Sequence, residues 1–200
     1  MLLPVALNLE NRAVLIIGGG AVAARKAAAF LECGARVVVV SPDLSDDFPA
    51  AEYRAKRYQS ADLEGFFLVC AGTDSREVNA RIACDAKAKG IWCNLADDPE
   101  NSDFHTVSTI RRGEIAIGVS TSGLSPVLAR FVRRKIEESL PLELDMLIEM
   151  TSSYPISTEI RGEFWRHLLE SEILDLLRQN QTEAAQSQLD ALFSQLNSRP

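Results

Sequence analysis

Apolar and polar positions in the first half of the chain come in alternating blocks. Arg12–Ile17 ends in an apolar run of buried-strand type, broken by Gly18-Gly19-Gly20. The Ala-rich stretch Ala21–Cys33 lacks Gly and Pro and reads as a helix stopped by Gly34. Arg36–Val40 is a second β-branched run, ending at Ser41-Pro42. Glu52–Tyr58 reads as a short strand and Phe66–Ala71 as a buried one. Asp74 and Glu77 have capping-box spacing, which predicts Asp74 as the cap of a helix closed by Gly90. Val78, Ile82 and Ala86 fall on that helix's inner face. Ile91–Asn94 is one more short strand. This alternation predicts an α/β fold, a Rossmann-type doubly wound parallel sheet over residues 1–103.

The pattern changes after Pro99. Phe104–Ile110 and Glu114–Ser120 read as two strands joined through Arg111-Arg112-Gly113. Ser125-Pro126 has the N-cap and first-turn signature of a helix running to about Leu140, where Pro141 interrupts. Leu142–Leu196 reads as helical, with breaks near Tyr154-Pro155 and Asn180, and Asn197–Pro200 as a frayed end. The expected division is a nucleotide domain (1–103), a small α+β segment (104–141) and a C-terminal helical module (142–200).

Composition narrows the class. Apolar residues make up 46% and charged residues 24%, as in globular proteins generally. No apolar run has the length of a membrane span, and Met1–Leu9 lacks a basic stretch followed by an apolar one. Neither a membrane segment nor a secretory signal is expected. The net charge of −7 argues against nucleic acid as a partner. An acidic ligand would need a local basic patch. The four cysteines are scattered without a C-x-x-C pair and read as reduced thiols of a cytoplasmic protein.

Gly18-Gly19-Gly20-Ala21-Val22-Ala23 fits G-x-G-x-x-A between a strand and a helix. Gly18 permits the tight turn, Gly20 lets backbone approach a pyrophosphate, and Ala23 allows close helix–strand packing. The helix start at Ala21 and Val22 offers amides to phosphate. The ribose-binding acid of such folds would fall near Val40–Asp43. Ser41 holds the strand end and Asp43 follows, either as a ribose ligand or as a solvated loop residue. With no basic residue between Val40 and Asp43, NAD is favoured over NADP. Gly72 and Thr73 end another strand and can line the same crevice.

Asp97 lies beyond the last strand of this domain, where a carboxylate can accept a proton as hydride leaves for a cofactor. Acidic loop residues before a proline such as Pro99 are more often turn formers. His105 is a candidate base, metal ligand or substrate contact, although a lone histidine is more often structural. Thr121, Ser122, Gly123 and Ser125 form a second small-residue turn that can hold a carboxylate. Arg130, Arg133 and Arg134 share one helix face and, with Arg111 and Arg112, make a basic zone; the alternative is a solvated helix end. No His, Cys and Glu set suggests a metal site.

Taken together these motifs resemble the precorrin-2 dehydrogenases of siroheme synthesis, including the N-terminal half of siroheme synthase. The resemblance rests on Gly18 to Lys26, on Thr73-Asp74 with Asn79, on Asn94-x-x-Asp97-x-Pro99 with Phe104, and on Val119 to Arg130. It runs from Pro4 to Leu140 and more loosely into the helical tail. It implies NAD-dependent oxidation of precorrin-2, an acidic tetrapyrrole, to sirohydrochlorin. It also implies a homodimer through interlocked central segments, and catalysis by Asp97. Thr121 stands where some members have serine, and Val107 where many have proline. No methyltransferase half is expected within this length. Some relatives also insert iron; without a ligand cluster, we expect a dehydrogenase with no efficient chelatase activity. A regulatory NAD-sensing module is the alternative, but it leaves the second turn and the basic helix unexplained.

Overall fold

The computed structural model describes residues 2–113 and 115–198. Its packing divides into two units, Met1–Thr106 and Val107–Pro200. In the first, the strands β1 (Ala13–Ile17), β2 (Arg36–Ser41), β3 (Glu52–Ala55), β4 (Leu68–Ala71) and β5 (Trp92–Leu95) all pair in parallel. Their order is β3-β2-β1-β4-β5. Helices α1 (Ala21–Glu32) and α2 (Arg76–Lys89) cover opposite faces. Side chains alternate along a strand, so β1 feeds both layers. Val14 and Ile16 pack with Ala23, Ala27 and Phe30 of α1. Leu15 and Ile17 pack with Ile82 and Ala86 of α2. Full burial on both sides explains why β1 reads as a continuous apolar run rather than an alternating one. Each such side chain contributes about 1.5–3 kcal/mol.

Several boundaries differ from the sequence reading: β3 ends at Ala55 rather than Tyr58, β4 starts at Leu68 rather than Phe66, and three further differences bear on the site. The cap of α2 is Ser75, not Asp74: Ser75 Oγ accepts from the Val78 amide at 3.3 Å. Thr73 Oγ1 takes the Ser75 amide, which turns the chain and starts the helix one residue later. Gly90 closes α2 at φ +68, as expected. Residues Phe104 to Val107 are not in a strand. The Asn94 Nδ2 group donates to the Phe104 carbonyl at 2.7 Å and holds this stretch against β5. Third, Arg111 and Arg112 lie within a strand rather than in the connection.

The segment after β5 folds back along that edge. Ser102 Oγ accepts the Leu95 amide at 2.9 Å, Asp103 Oδ2 accepts the Cys93 amide at 2.8 Å, and the Asp103 amide donates to the Cys93 carbonyl.

The second unit opens with an antiparallel hairpin, β6 (Ser108–Arg112) and β7 (Ile115–Val119), paired Ser108 to Val119 and Arg112 to Ile115. Gly113, at φ +53, begins the connection. Glu114, where the sequence reading begins the second strand, lies outside the described residues. α3 (Pro126–Ser139) packs on both strands; its N-cap is Ser125, whose hydroxyl accepts the Leu128 amide, with Pro126 next. Then come α4 (Glu143–Ser152), α5 (Thr158–Glu170), α6 (Ile173–Arg178) and α7 (Thr182–Asn197). They share a core of Leu147, Phe164, Leu168, Ile173, Leu177 and Leu189. The breaks at Tyr154-Pro155 and Asn180 fall as expected; a further one comes at Ser171-Glu172. Arg199 and Pro200 of the expected frayed end lie outside the described residues.

Candidate functional site

Three strand ends converge at the carboxyl edge of the sheet, on either side of β1, where an open α/β sheet reverses its winding. A cleft of about 750 Å³ opens there, lined by Gly18, Gly19, Gly20, Ser41, Asp43, Gly72 and Thr73. Two glycines are required by close approach. Gly18 sits at φ +117, and a Cβ on it would clash with the Gly72 carbonyl. A Cβ on Gly19 would clash with the Asp43 carbonyl. Gly20 is different. Open space surrounds the place a Cβ would take, and as N-cap of α1 it gives no side-chain cap. The first amides of α1, from Ala21 and Val22 onward, therefore lack a side-chain acceptor, which suits a phosphate. Ser45 Oγ, in the same lining, is buried with no partner among the described residues. Open space at Gly20, uncapped amides and an orphan hydroxyl fit a bound dinucleotide.

The cleft contains more charge than the sequence reading foresaw. Lys56, Arg57 and Arg81 line it beside Tyr58. No cation lies within Val40–Asp43, but three line the space around it. Lys56 and Arg57 follow β3, the parallel neighbour of β2, and its end reaches the same edge. That placement was the signal available. Tyr58 donates to Asp85 at 2.8 Å, and Ser60 donates to the same oxygen at 2.6 Å. Burial and Asp85 push the Tyr58 phenol up from its ordinary value.

Asp97 stands exposed beyond β5. Its Oδ1 accepts from Nδ2 of Asn79, a residue 2% exposed, at 3.1 Å. Asn79 also holds Thr73: Oδ1 accepts the Thr73 amide (3.2 Å) and hydroxyl (2.7 Å), and Nδ2 donates to the Thr73 carbonyl (3.1 Å). In the sequence Asn79 is only a mark of the resemblance; its network depends on the fold bringing Thr73 and Asp97 to it. Asp98 is the turn former of the pair, accepting the Asn101 amide at 3.2 Å. The imidazole of His105 lies 3.0 Å from the Pro99 carbonyl, with Nε2 the donor. On the α1 side of the sheet, half-buried Lys26 donates to Asn94 Oδ1 at 2.5 Å and to Thr106 Oγ1 at 3.1 Å. Burial lowers its pKa.

In the second unit, the turn before α3 is largely self-satisfied. Thr121 Oγ1 accepts the Ser125 amide and donates to the Ser125 carbonyl. Ser122, at φ +51, and Gly123, at φ +84, turn the chain outward. Arg133 is engaged by Glu137 at 2.6 Å and Arg112 by Asp145 at 2.8 Å. Arg130 is exposed, with no partner among the described residues.

Residues 5–108 match the family model described as "Putative NAD(P)-binding", and residues 112–139 the one described as "Sirohaem biosynthesis protein central". Siroheme synthase 1 of Aeromonas salmonicida is 37% identical over 207 residues, covering 96% of this chain and 44% of the relative. The chain belongs to the siroheme synthase family of NAD(P)-binding proteins. A second siroheme synthase, from Tolumonas auensis, is 37% identical over 196 residues, covering 92% of this chain and 42% of the relative. This family member thus spans under half the length of those siroheme synthases. A solved structure titled "SirC, precorrin-2 dehydrogenase" shares the fold, with a TM-score of 0.77 at 20% identity over 97% of this chain and 100% of that one. The cofactor of this siroheme synthase family chain is a nicotinamide dinucleotide.

Proposed function

We propose that the chain is an NAD-dependent precorrin-2 dehydrogenase, forming sirohydrochlorin in siroheme biosynthesis. The observation that carries this reading is the hydrogen bond by which the cleft, through Thr73 and Asn79, holds the carboxylate of Asp97. NAD, when bound, accepts the hydride. The amides of Ala21 and Val22 and the turn Gly18-Gly19-Gly20 hold its pyrophosphate. Ser41 and Asp43 face its adenosine ribose, and Gly72 and Thr73 line its path. Lys56 is paired with Asp62, which supports NAD rather than NADP. Asp97 Oδ2, which has no partner among the described residues, takes the substrate proton.

The substrate is a polycarboxylate, and the chain carries −7 overall, so its attraction is local. Arg111, Arg130 and Arg133 supply charge, the turn Thr121-Ser122-Gly123 with Ser125 supplies polar contacts, and His105 adds one near Asp97 in the chain. Exposed Leu124, Val127 and Phe131 on and before α3 support a homodimer through this segment. Free cysteines throughout support a cytoplasmic setting.

The test is anaerobic. Protein, precorrin-2 and NAD should yield the sirohydrochlorin spectrum and NADH together. Asp97→Ala should bind NAD normally and lose turnover about 100-fold or more. NAD binding by the wild type with no sirohydrochlorin formed would point instead to a sensing module.

A further inference from the structure

We propose that Asn79 is a positioning residue that aims Asp97 and makes that aim depend on Thr73 of the cofactor cleft. The inference rests on reading Asp97 as the base.

A buried primary amide has two donor and two acceptor positions, and here all four are used. Thr73 supplies an amide N–H and a hydroxyl, so the Asn79 oxygen must face Thr73. The nitrogen then faces two acceptors, the Thr73 carbonyl and Asp97 Oδ1. Flipping the amide would set N–H against N–H and oxygen against carboxylate. The orientation is therefore fixed by Thr73, and Asp97 receives whatever hydrogen that orientation leaves over. Its Oδ1 is bound as an acceptor, and Oδ2 is left for a substrate proton.

Two further facts make this more than a helix-start ornament. Asn79 is 2% exposed while Asp97 is exposed, so a buried side chain holds an exposed one. And the α2 cap is already supplied by Ser75, so the amide of Asn79 is not needed for capping. Thr73 lines the dinucleotide cleft. Occupation of that cleft stiffens Thr73, and through it the hydrogen bond on Asp97.

The experiment is a double-mutant cycle on the full chain. Asn79→Leu removes the polar contacts, and Asn79→Asp keeps the shape but replaces the donor with an oxygen. Each is expected to lower kcat about tenfold or more, to leave the KM for precorrin-2 within about twofold, and to weaken NAD binding measured by titration without substrate. In an Asp97→Ala background the same substitutions should change kcat less than about twofold, while the weakening of NAD binding persists. If the kcat losses multiply in the double variant, Asn79 acts independently of Asp97 and the proposal is wrong. Full turnover by Asp97→Ala alone removes the base, and with it this role; that outcome is read from the single variant. Thermal melts identify a Leu variant that fails to fold, in which case the isosteric Asp variant decides.

Discussion

The ammonium of Lys56 lies 2.5 Å from the carboxylate of Asp62, whose side chain is only 6% exposed. Asp62 also accepts the Gln59 amide, so its position is fixed. One of the cations lining the cleft is therefore held by an internal partner. Asp62→Asn should release it toward a ribose 2′-phosphate. The KM for NADP is expected to fall about tenfold, the size of one charge-assisted hydrogen bond, with NAD little changed. Steady-state kinetics with both cofactors checks this; equal effects on the two would assign Lys56 to some other part of the cleft.

Arg130 and Arg133 differ in commitment, although they share a helix face. Arg133 is paired with Glu137, whereas Arg130 is not paired among the described residues. Arg130→Ala should raise the KM for the tetrapyrrole more than Arg133→Ala does, and the difference should shrink as salt is added. The KM for NAD serves as the internal control. Wild-type KM in both variants at low salt would leave the basic zone as a solvated surface.

Asp85 gives a pH prediction. Hydrogen bonds from Ser60 and then Tyr58 hold its carboxyl below the usual range. A lowered folded-state value means that the stabilisation is complete above the unfolded value of about 3.9. It is lost as pH falls through the folded value. Asp85→Asn should therefore be less stable at neutral pH and lose less on acidification. Urea unfolding at several acid pH values tests this; parallel curves for the two proteins would contradict it.

Metal insertion is expected to be absent. Burial pushes the thiols of Cys70 and Cys93 up to about 12, which makes both poor nucleophiles at neutral pH. Among the described residues no group of three or more His, Cys, Asp or Glu side chains converges. Purified protein with sirohydrochlorin and ferrous or cobaltous ion should not exceed the protein-free rate. Insertion that disappears in Asp97→Ala or His105→Ala would overturn this.

The sheet was legible because β1 and β2 are buried on both faces and leave unbroken apolar runs. The glycine turn was legible because Gly18 and Gly19 have backbone packed where a Cβ would go. What escaped the sequence reading depends on neighbours distant in the chain. Lys56, Arg57 and Arg81 enter the cleft through strand order, which no local pattern encodes. Phe104 looked like strand but is drawn out of it by Asn94, ten residues earlier. The Asp74 cap failed on a finer scale: the Ser75 hydroxyl, one residue later, takes the Val78 amide, and spacing alone cannot show which of the two side chains caps.

The fold-back of Ser102 and Asp103 onto β5 bears on how copies of this chain can meet. The Cys93 and Leu95 amides that an incoming strand would need are already taken. At the opposite margin, β3 offers only four residues, with Glu52 and Arg54 joined in an exposed ion pair. A sheet shut at one side and short and charged at the other resists growing into a continuous ribbon between molecules. Association under crowded or partly unfolding conditions should then proceed without the cross-β signature that dyes for fibrils detect.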